Sequence, residues 1–154
     1  MNDEARILKA LSLMGYLGMM SGLLALLWLH SLFSSSPIVI ALQISALLLF
    51  FWARITFGRR SFHLAANPTE GGLVDTGPYR YIRHPIYTAL CLFTGAGAAA
   101  HLSWKTEFAF GLILGFALLR IFCEEFLVTK RYPEYRQYAG RTWRMVPRVF
   151  QTSA

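Results

Sequence analysis

The sequence predicts an all-α integral membrane protein with four transmembrane helices. A cytoplasmic hairpin joins the second to the third, and a short amphipathic helix follows the fourth. Three observations carry this expectation. Hydrophobic residues make up 55% of the 154 and charged residues only 15%, where soluble domains run near 25% charged. The apolar residues gather into four runs almost free of charge. Fourteen of the fifteen Lys and Arg fall on one side of those runs.

The first run, Ala10 to Leu29, holds twenty residues without a charge, enough to cross a hydrocarbon core of about 30 Å. Its apolar part exceeds that of a cleavable signal and no small-residue cleavage site follows, so it reads as a retained anchor. Ser34-Ser35-Ser36-Pro37 makes a short turn into the second run, Pro37 to Ala53, which Arg54 and Ile55-Thr56-Phe57 extend. The third run is Ile86 to Leu102, and His101 to Thr106 is a tight connector into the fourth, Phe108 to Leu127. The only charges in the fourth run are Arg120, Glu124 and Glu125. Gly18 with Gly22, and Gly111 with Gly115, repeat at the four-residue spacing that lets membrane helices approach closely. Gly95-Ala96-Gly97 reads as helix packing, because a nucleotide-binding glycine loop would follow a strand and carry a third glycine.

Between the second and third runs, residues 58 to 85 form the hairpin. Asn67-Pro68, Gly71-Gly72 and Thr76-Gly77-Pro78-Tyr79 are successive turn signals. Pro85 suits the first turn of the third helix, where a missing N–H costs nothing. Tyr132-Pro133 ends the fourth helix. A short amphipathic helix is expected over Pro133 to Ala139, with Gly140 as its C-cap. There Tyr132, Tyr135 and Tyr138 interleave with Arg131, Arg136 and Arg141, as in an interfacial belt or a lid over a cytoplasmic site.

Orientation follows from the basic residues. Lys105 alone lies opposite Arg6, Lys9, the hairpin arginines and the cluster from Arg120 to Arg148. The positive-inside rule therefore puts both termini and the hairpin in the cytoplasm, as in an inner-membrane protein. The net charge of +7 is explained by anionic lipid headgroups and calls for no nucleic acid. Cys91 and Cys123, on the reducing side, read as free thiols. The whole chain, 1–154, forms one domain, with two spans in 1–57 and the chemistry-bearing motifs in 58–154.

Ionisable residues within a span are a functional-site hypothesis by default. Arg120 and Glu124 are four apart and share a helical face, while Glu125 is rotated by about 100°. Arg83, His84 and Tyr87 stand at the mouth of the third helix, at a depth similar to Glu124 and Glu125. Carboxylates there could hold an ammonium or ribose hydroxyls, Arg83 and His84 a carboxylate, and the tyrosines a purine or a sulfonium. No metal site is expected, since His84 with two adjacent glutamates lacks a ligand spacing.

The motif Leu73-Val-Asp-Thr-Gly-Pro-Tyr79, followed by Arg83-His-Pro-Ile-Tyr87, resembles the isoprenylcysteine carboxyl methyltransferase family. So do Arg120…Glu124-Glu125, Tyr132-Pro-Glu-Tyr135 and the closing Arg144-Met-Val-Pro147. The related phospholipid N-methyltransferases are similar in their Pro-x-Tyr turn and paired glutamates. The resemblance covers about residues 70 to 148. It implies S-adenosyl-L-methionine as cofactor, with Leu73 and Val74 lining the adenosyl site. Tyr79, His84, Pro85 and Tyr87 would form its wall, Glu124 would hold a polar end, and Arg120 would face the methyl acceptor. The family carries a longer acidic run where this chain has Cys123-Glu124-Glu125, so the cofactor contact falls on one or other glutamate.

Methyl transfer from a sulfonium is an in-line displacement that needs alignment. A carboxylate acceptor is already ionised and would need only positioning by Arg120. An amine acceptor would need a base, and Glu125 or a tyrosine is placed to serve. The acceptor, carboxylate, thiol or amine, is expected to be lipophilic or amphipathic and to arrive through the bilayer between the third and fourth spans. Two other readings compete. One is an NADPH-dependent membrane reductase of sterol type, which shares a similar Arg-His-Pro-x-Tyr turn. The other is a non-catalytic four-helix membrane protein, which leaves Arg120, Glu124 and His84 without a role.

Overall fold

A computed structural model describes residues 3–58 and 73–147. Asn67-Pro68 and Gly71-Gly72, read as turns, lie outside the described residues. Those that are described contain five α-helices and one 3-10 turn: α1 (Asp3–Trp28), α2 (Pro37–Phe57), the turn Gly77–Arg80, α3 (Pro85–Ala100), α4 (Trp104–Arg131) and α5 (Tyr135–Arg141). The all-helical class expected from the sequence is therefore the class observed. Two helical stretches, Arg6–Trp28 and Pro37–Phe57, are long and apolar enough to cross a membrane, and Pro85–Ala100 is apolar but shorter.

Each helix end has a local cause. α2 opens with Pro37 at its first turn and stops where Gly58 takes φ 64°, a conformation that favours glycine. α3 also opens on proline, at Pro85. α4 starts where the Ser103 side chain accepts from the Thr106 N–H at 3.2 Å, satisfying one orphan donor of the first turn. It ends at Tyr132, whose extended backbone (φ −124°, ψ 96°) is what a following proline imposes. Observed α4 thus runs from Trp104 to Arg131, beyond the apolar run at both ends, because capping and helix propensity continue where hydropathy stops.

α1 packs chiefly along α4, and α2 along α3. Leu26, Leu32, Ala98, Ala109 and Ile113 form the core at one end of the bundle. Gly18 and Gly22 make the α1–α4 approach possible: a side chain on Gly22 would meet the Ala109 carbonyl at 2.8 Å, and one on Gly18 would meet the Phe116 ring. Gly111 and Gly115 have nothing within 4 Å of an added Cβ. The spacing rule thus holds for the first glycine pair and fails for the second, which lies off the packed face. Gly97 sits against the Leu32 carbonyl, so the Gly95-Ala96-Gly97 stretch is a packing contact. At the same end Gln43 Nε2 donates to the Leu32 carbonyl at 2.7 Å and the Phe93 carbonyl at 3.3 Å.

α5 begins two residues later than expected and runs through Gly140 to Arg141. Gly140 is therefore inside the helix and is not its cap. The turn is closed instead at Thr142, whose hydroxyl donates to the Tyr138 carbonyl at 2.7 Å.

Candidate active site

The site is built where the chain from 81 to 84 meets the chain from 142 to 145. Ile82 and Trp143 form an isolated parallel bridge. The Arg83 N–H donates to the Trp143 carbonyl at 2.7 Å, and the His84 N–H to the Arg144 carbonyl at 3.0 Å. The Thr88 hydroxyl, one turn into α3, donates to the Met145 carbonyl at 2.9 Å. Because Pro85 starts α3 immediately, His84 and Tyr87 are set on the helix mouth, with ring centroids 5.8 Å apart.

Facing this mouth is the last third of α4, where two adjacent glutamates enter different networks. Glu124 Oε1 accepts from the Tyr87 hydroxyl at 2.6 Å and from Arg120 Nε at 3.0 Å. Arg120 Nε also donates to the Tyr87 oxygen at 2.5 Å, and its Nη1 to the Ser12 carbonyl of α1 at 3.3 Å. The second Glu124 oxygen points toward His84 Nδ1 at 3.9 Å, beyond hydrogen-bond range. Its side chain is 24% exposed, against 6% for Arg120 as a residue.

Glu125 is held from three directions. Its Oε1 takes Arg83 Nε at 2.9 Å and His84 Nε2 at 3.1 Å. Its Oε2 takes Arg144 Nη2 at 2.7 Å and Nε at 3.1 Å. Arg83 is buried and completes its own bonding through Nη1, which donates to the carbonyls of Ala139 at 2.7 Å and Thr142 at 2.6 Å. Glu125 thereby ties α4 to α3 and to the segment after α5.

The turn Gly77–Arg80 docks beside these networks. Gly77 takes φ 56° and packs on Thr56, and Tyr79 lies against Phe57 of α2 with ring centroids 5.2 Å apart. Tyr138 of α5 donates to the Tyr79 carbonyl at 2.7 Å. Burial, with Tyr138 and Glu124 nearby, pushes the Tyr79 phenol well above its ordinary range. Tyr135 is raised by burial and then by Glu125, and Tyr138 by burial against the opposing pull of Arg83. Leu73 and Val74 precede the turn, half-buried, and their neighbour Asp75 pairs with Arg141 at 3.0 Å.

Six of the sequence-derived site residues fall into two bonded groups, Tyr87–Arg120–Glu124 and Arg83–His84–Glu125, with Pro85 buried at the helix start, while Leu73, Val74 and Tyr79 stand apart from both, Tyr79 on Phe57 and Tyr138. Arg144 and the Ser12 carbonyl belong to these groups and were not among the expected site residues. Arg144 lay within a quoted motif, which was its signal. Ser12 acts through its main chain, which leaves no mark in sequence.

Residues 38–130 match the model of the isoprenylcysteine carboxyl methyltransferase (ICMT) family. The nickel-cobalt-cadmium resistance protein NccN of Alcaligenes xylosoxydans xylosoxydans is similar, with 38% identity over 80 residues. That match covers 50% of this chain and 37% of NccN, so the chain spans well under half of that relative's length. No solved structure matches. The family match takes in more than half of the chain, and the chain belongs to the isoprenylcysteine carboxyl methyltransferase family.

Proposed function

We propose that this member of the isoprenylcysteine carboxyl methyltransferase family transfers a methyl group from S-adenosyl-L-methionine to a lipophilic or amphipathic acceptor at the cytoplasmic face of an inner membrane. The family makes it a membrane methyltransferase in general terms; donor, acceptor and topology are our reading. The observation that carries it is the division of labour between Glu124 and Glu125. Glu125 has both oxygens bonded to cationic side chains, and Glu124 keeps one oxygen 3.9 Å from the His84 ring, outside hydrogen-bond range.

The donor set fits S-adenosylmethionine. Glu124 offers an acceptor oxygen for an ammonium or ribose hydroxyl, and Tyr79, His84 and Tyr87 supply aromatic surface beside it. Leu73 and Val74 would give the apolar side, with Pro85 completing the wall. When bound, the cofactor supplies a methyl group on a sulfonium, which needs no covalent help from the protein. Arg120, one turn from Glu124, orients the acceptor. Glu125 is a clasp with both oxygens engaged by Arg83, His84 and Arg144, which leaves neither placed to take a proton from an acceptor. An acceptor that needs no base, a carboxylate or thiolate, therefore suits the site better than an amine.

The membrane placement is supported by the outward faces of α1, α2 and α4. Leu24 of α1, Leu48 of α2 and Phe122 of α4 are 61%, 66% and 54% exposed, which suits a lipid surface. Trp28 and Trp104, strongly exposed at the end of the bundle away from the site, match an interfacial aromatic belt. Helix α4 at 28 residues is about 42 Å long, so its charged end would stand at the headgroup level.

Two other readings gain no support. An NADPH reductase would need cations for a 2′-phosphate beside the aromatic groups of the site, and the two arginines there, Arg83 and Arg144, are both engaged by Glu125. The metal-resistance name is that of NccN and is not carried over to this chain. Calorimetric titration of purified protein with S-adenosylhomocysteine and with NADPH tests the assignment. Binding of the first alone is expected; binding of NADPH alone would overturn it.

A further inference from the structure

Along α4, beside Glu125, lies an open groove lined by Phe122, Glu125, Phe126, Thr129, Lys130 and Arg136. Its composition changes along its length. Phe122 and Phe126, four apart on one helix face, are 54% and 46% exposed. One turn on, Lys130 places its ammonium 4.6 Å from the Phe126 ring centroid, and exposed Arg136 of α5 closes the end. The Arg144 guanidinium lies 4.7 Å from the Phe122 ring centroid while bonded to Glu125, so the groove floor is the back of the clasp.

An apolar track that ends in two cations fits an amphipath with an anionic head. We propose that this groove holds one anionic phospholipid, its acyl chain along Phe122 and Phe126 and its phosphate between Lys130 and Arg136. The proposal rests on the membrane placement of α4 argued above and not on methyl transfer. The lipid is a bound partner, distinct from the acceptor, which is handled on the Arg120 face of the same helix. Charge complementarity selects the occupant: a second copy of this chain would bring its own basic groove, and a zwitterionic lipid would gain little from two cations. Lys130 also pairs with Glu4 at the start of α1. A phosphate there would share that ammonium with Glu4, and Arg136 would carry most of the selectivity.

Native mass spectrometry of the full chain, from nanodiscs of phosphatidylcholine with one-fifth phosphatidylglycerol, tests this directly. The expected result is one phosphatidylglycerol retained in preference to phosphatidylcholine. Arg136→Gln should weaken that preference about fivefold, the worth of one basic residue at a lipid surface. Lys130→Gln with Arg136→Gln should abolish it. Phe122→Ser should lower retention of both lipids without changing the preference. Equal retention of the two lipids by the native protein would overturn the proposal, as would an unchanged preference in the double variant. Titration of the same preparations with S-adenosylhomocysteine should be unaffected, which keeps a failed lipid site separate from a failed donor site.

Discussion

Glu124 and Glu125 are neighbours on α4 that enter different hydrogen-bond networks: Tyr87 and Arg120 bond to the first, while Arg83, His84 and Arg144 bond to the second. The cause is helical geometry. Successive residues are turned by about 100°, so one carboxylate meets Tyr87 inside α3 and the other meets the residues just before α3 and the segment after α5. A carboxylate with both oxygens committed to cations holds the fold together. One with an oxygen to spare can hold a ligand.

The two glutamates should therefore fail differently. Glu125→Gln strands Arg83 and Arg144 and is expected to destabilise the protein by about 3–5 kcal/mol, the usual cost of breaking a buried pair. Glu124→Gln should cost less stability, because Glu124 faces one arginine and its side chain is 24% exposed against 12% for Glu125, while weakening S-adenosylhomocysteine binding by about tenfold for the loss of one charge-assisted hydrogen bond. Melting curves and titrations on both variants check this. A native-like Glu125→Gln melt would remove the clasp role.

The tyrosines of the C-terminal cover should resist ionisation. Tyr79, Tyr135 and Tyr138 have folded-state values raised by burial above the ordinary 10.0. Stability from this source is complete below pH 10 and falls as the pH rises through the folded values. Phenolate absorbance of these three is expected to appear only together with loss of structure. Tyr138→Phe should reduce that late amplitude. Ionisation of the three near pH 10 with the fold intact would contradict it.

Much of this arrangement was legible in the sequence, and for identifiable reasons. Arg120, Glu124 and Glu125 declared themselves because charge inside an apolar run is costly to keep, and His84-Pro85 because proline fixes a helix start. What stayed hidden was long-range. Nothing in the spacing of Arg144 says that it reaches Glu125, since that contact is made through the parallel pairing of Ile82 with Trp143. The Ser12 carbonyl is likewise invisible, because every residue has one. The second glycine pair misled because spacing marks a face of the helix without saying what that face meets.

Glycines therefore offer a clean test of the packing. Gly22→Ala should destabilise the protein by about 1–3 kcal/mol, since the new methyl meets a main-chain carbonyl that cannot rotate away. Gly111→Ala, open on all sides, should be neutral or stabilising by up to about 1 kcal/mol from helix propensity. Thermal unfolding in the same detergent compares them. Equal effects would mean that α1 and α4 do not approach at Gly22.

Arg120 stands between the two halves of the proposed chemistry, and its substitution should separate them. It is one turn from Glu124, about 6 Å along the helix, and its Nε touches both Tyr87 and Glu124. In Arg120→Ala, Tyr87 still donates to Glu124, so donor affinity should fall only several-fold, about one hydrogen bond's worth. Turnover should fall much further, by about 10²-fold, because a misplaced acceptor loses its near-attack geometry. Arg120→Lys sharpens the comparison. A lysine keeps the charge beside Glu124 but lacks the planar fork that spans Tyr87, Glu124 and the Ser12 carbonyl. Donor affinity should recover and turnover should not. If both recover together in the lysine variant, Arg120 is only a counter-ion to Glu124, and the acceptor must be positioned by another group.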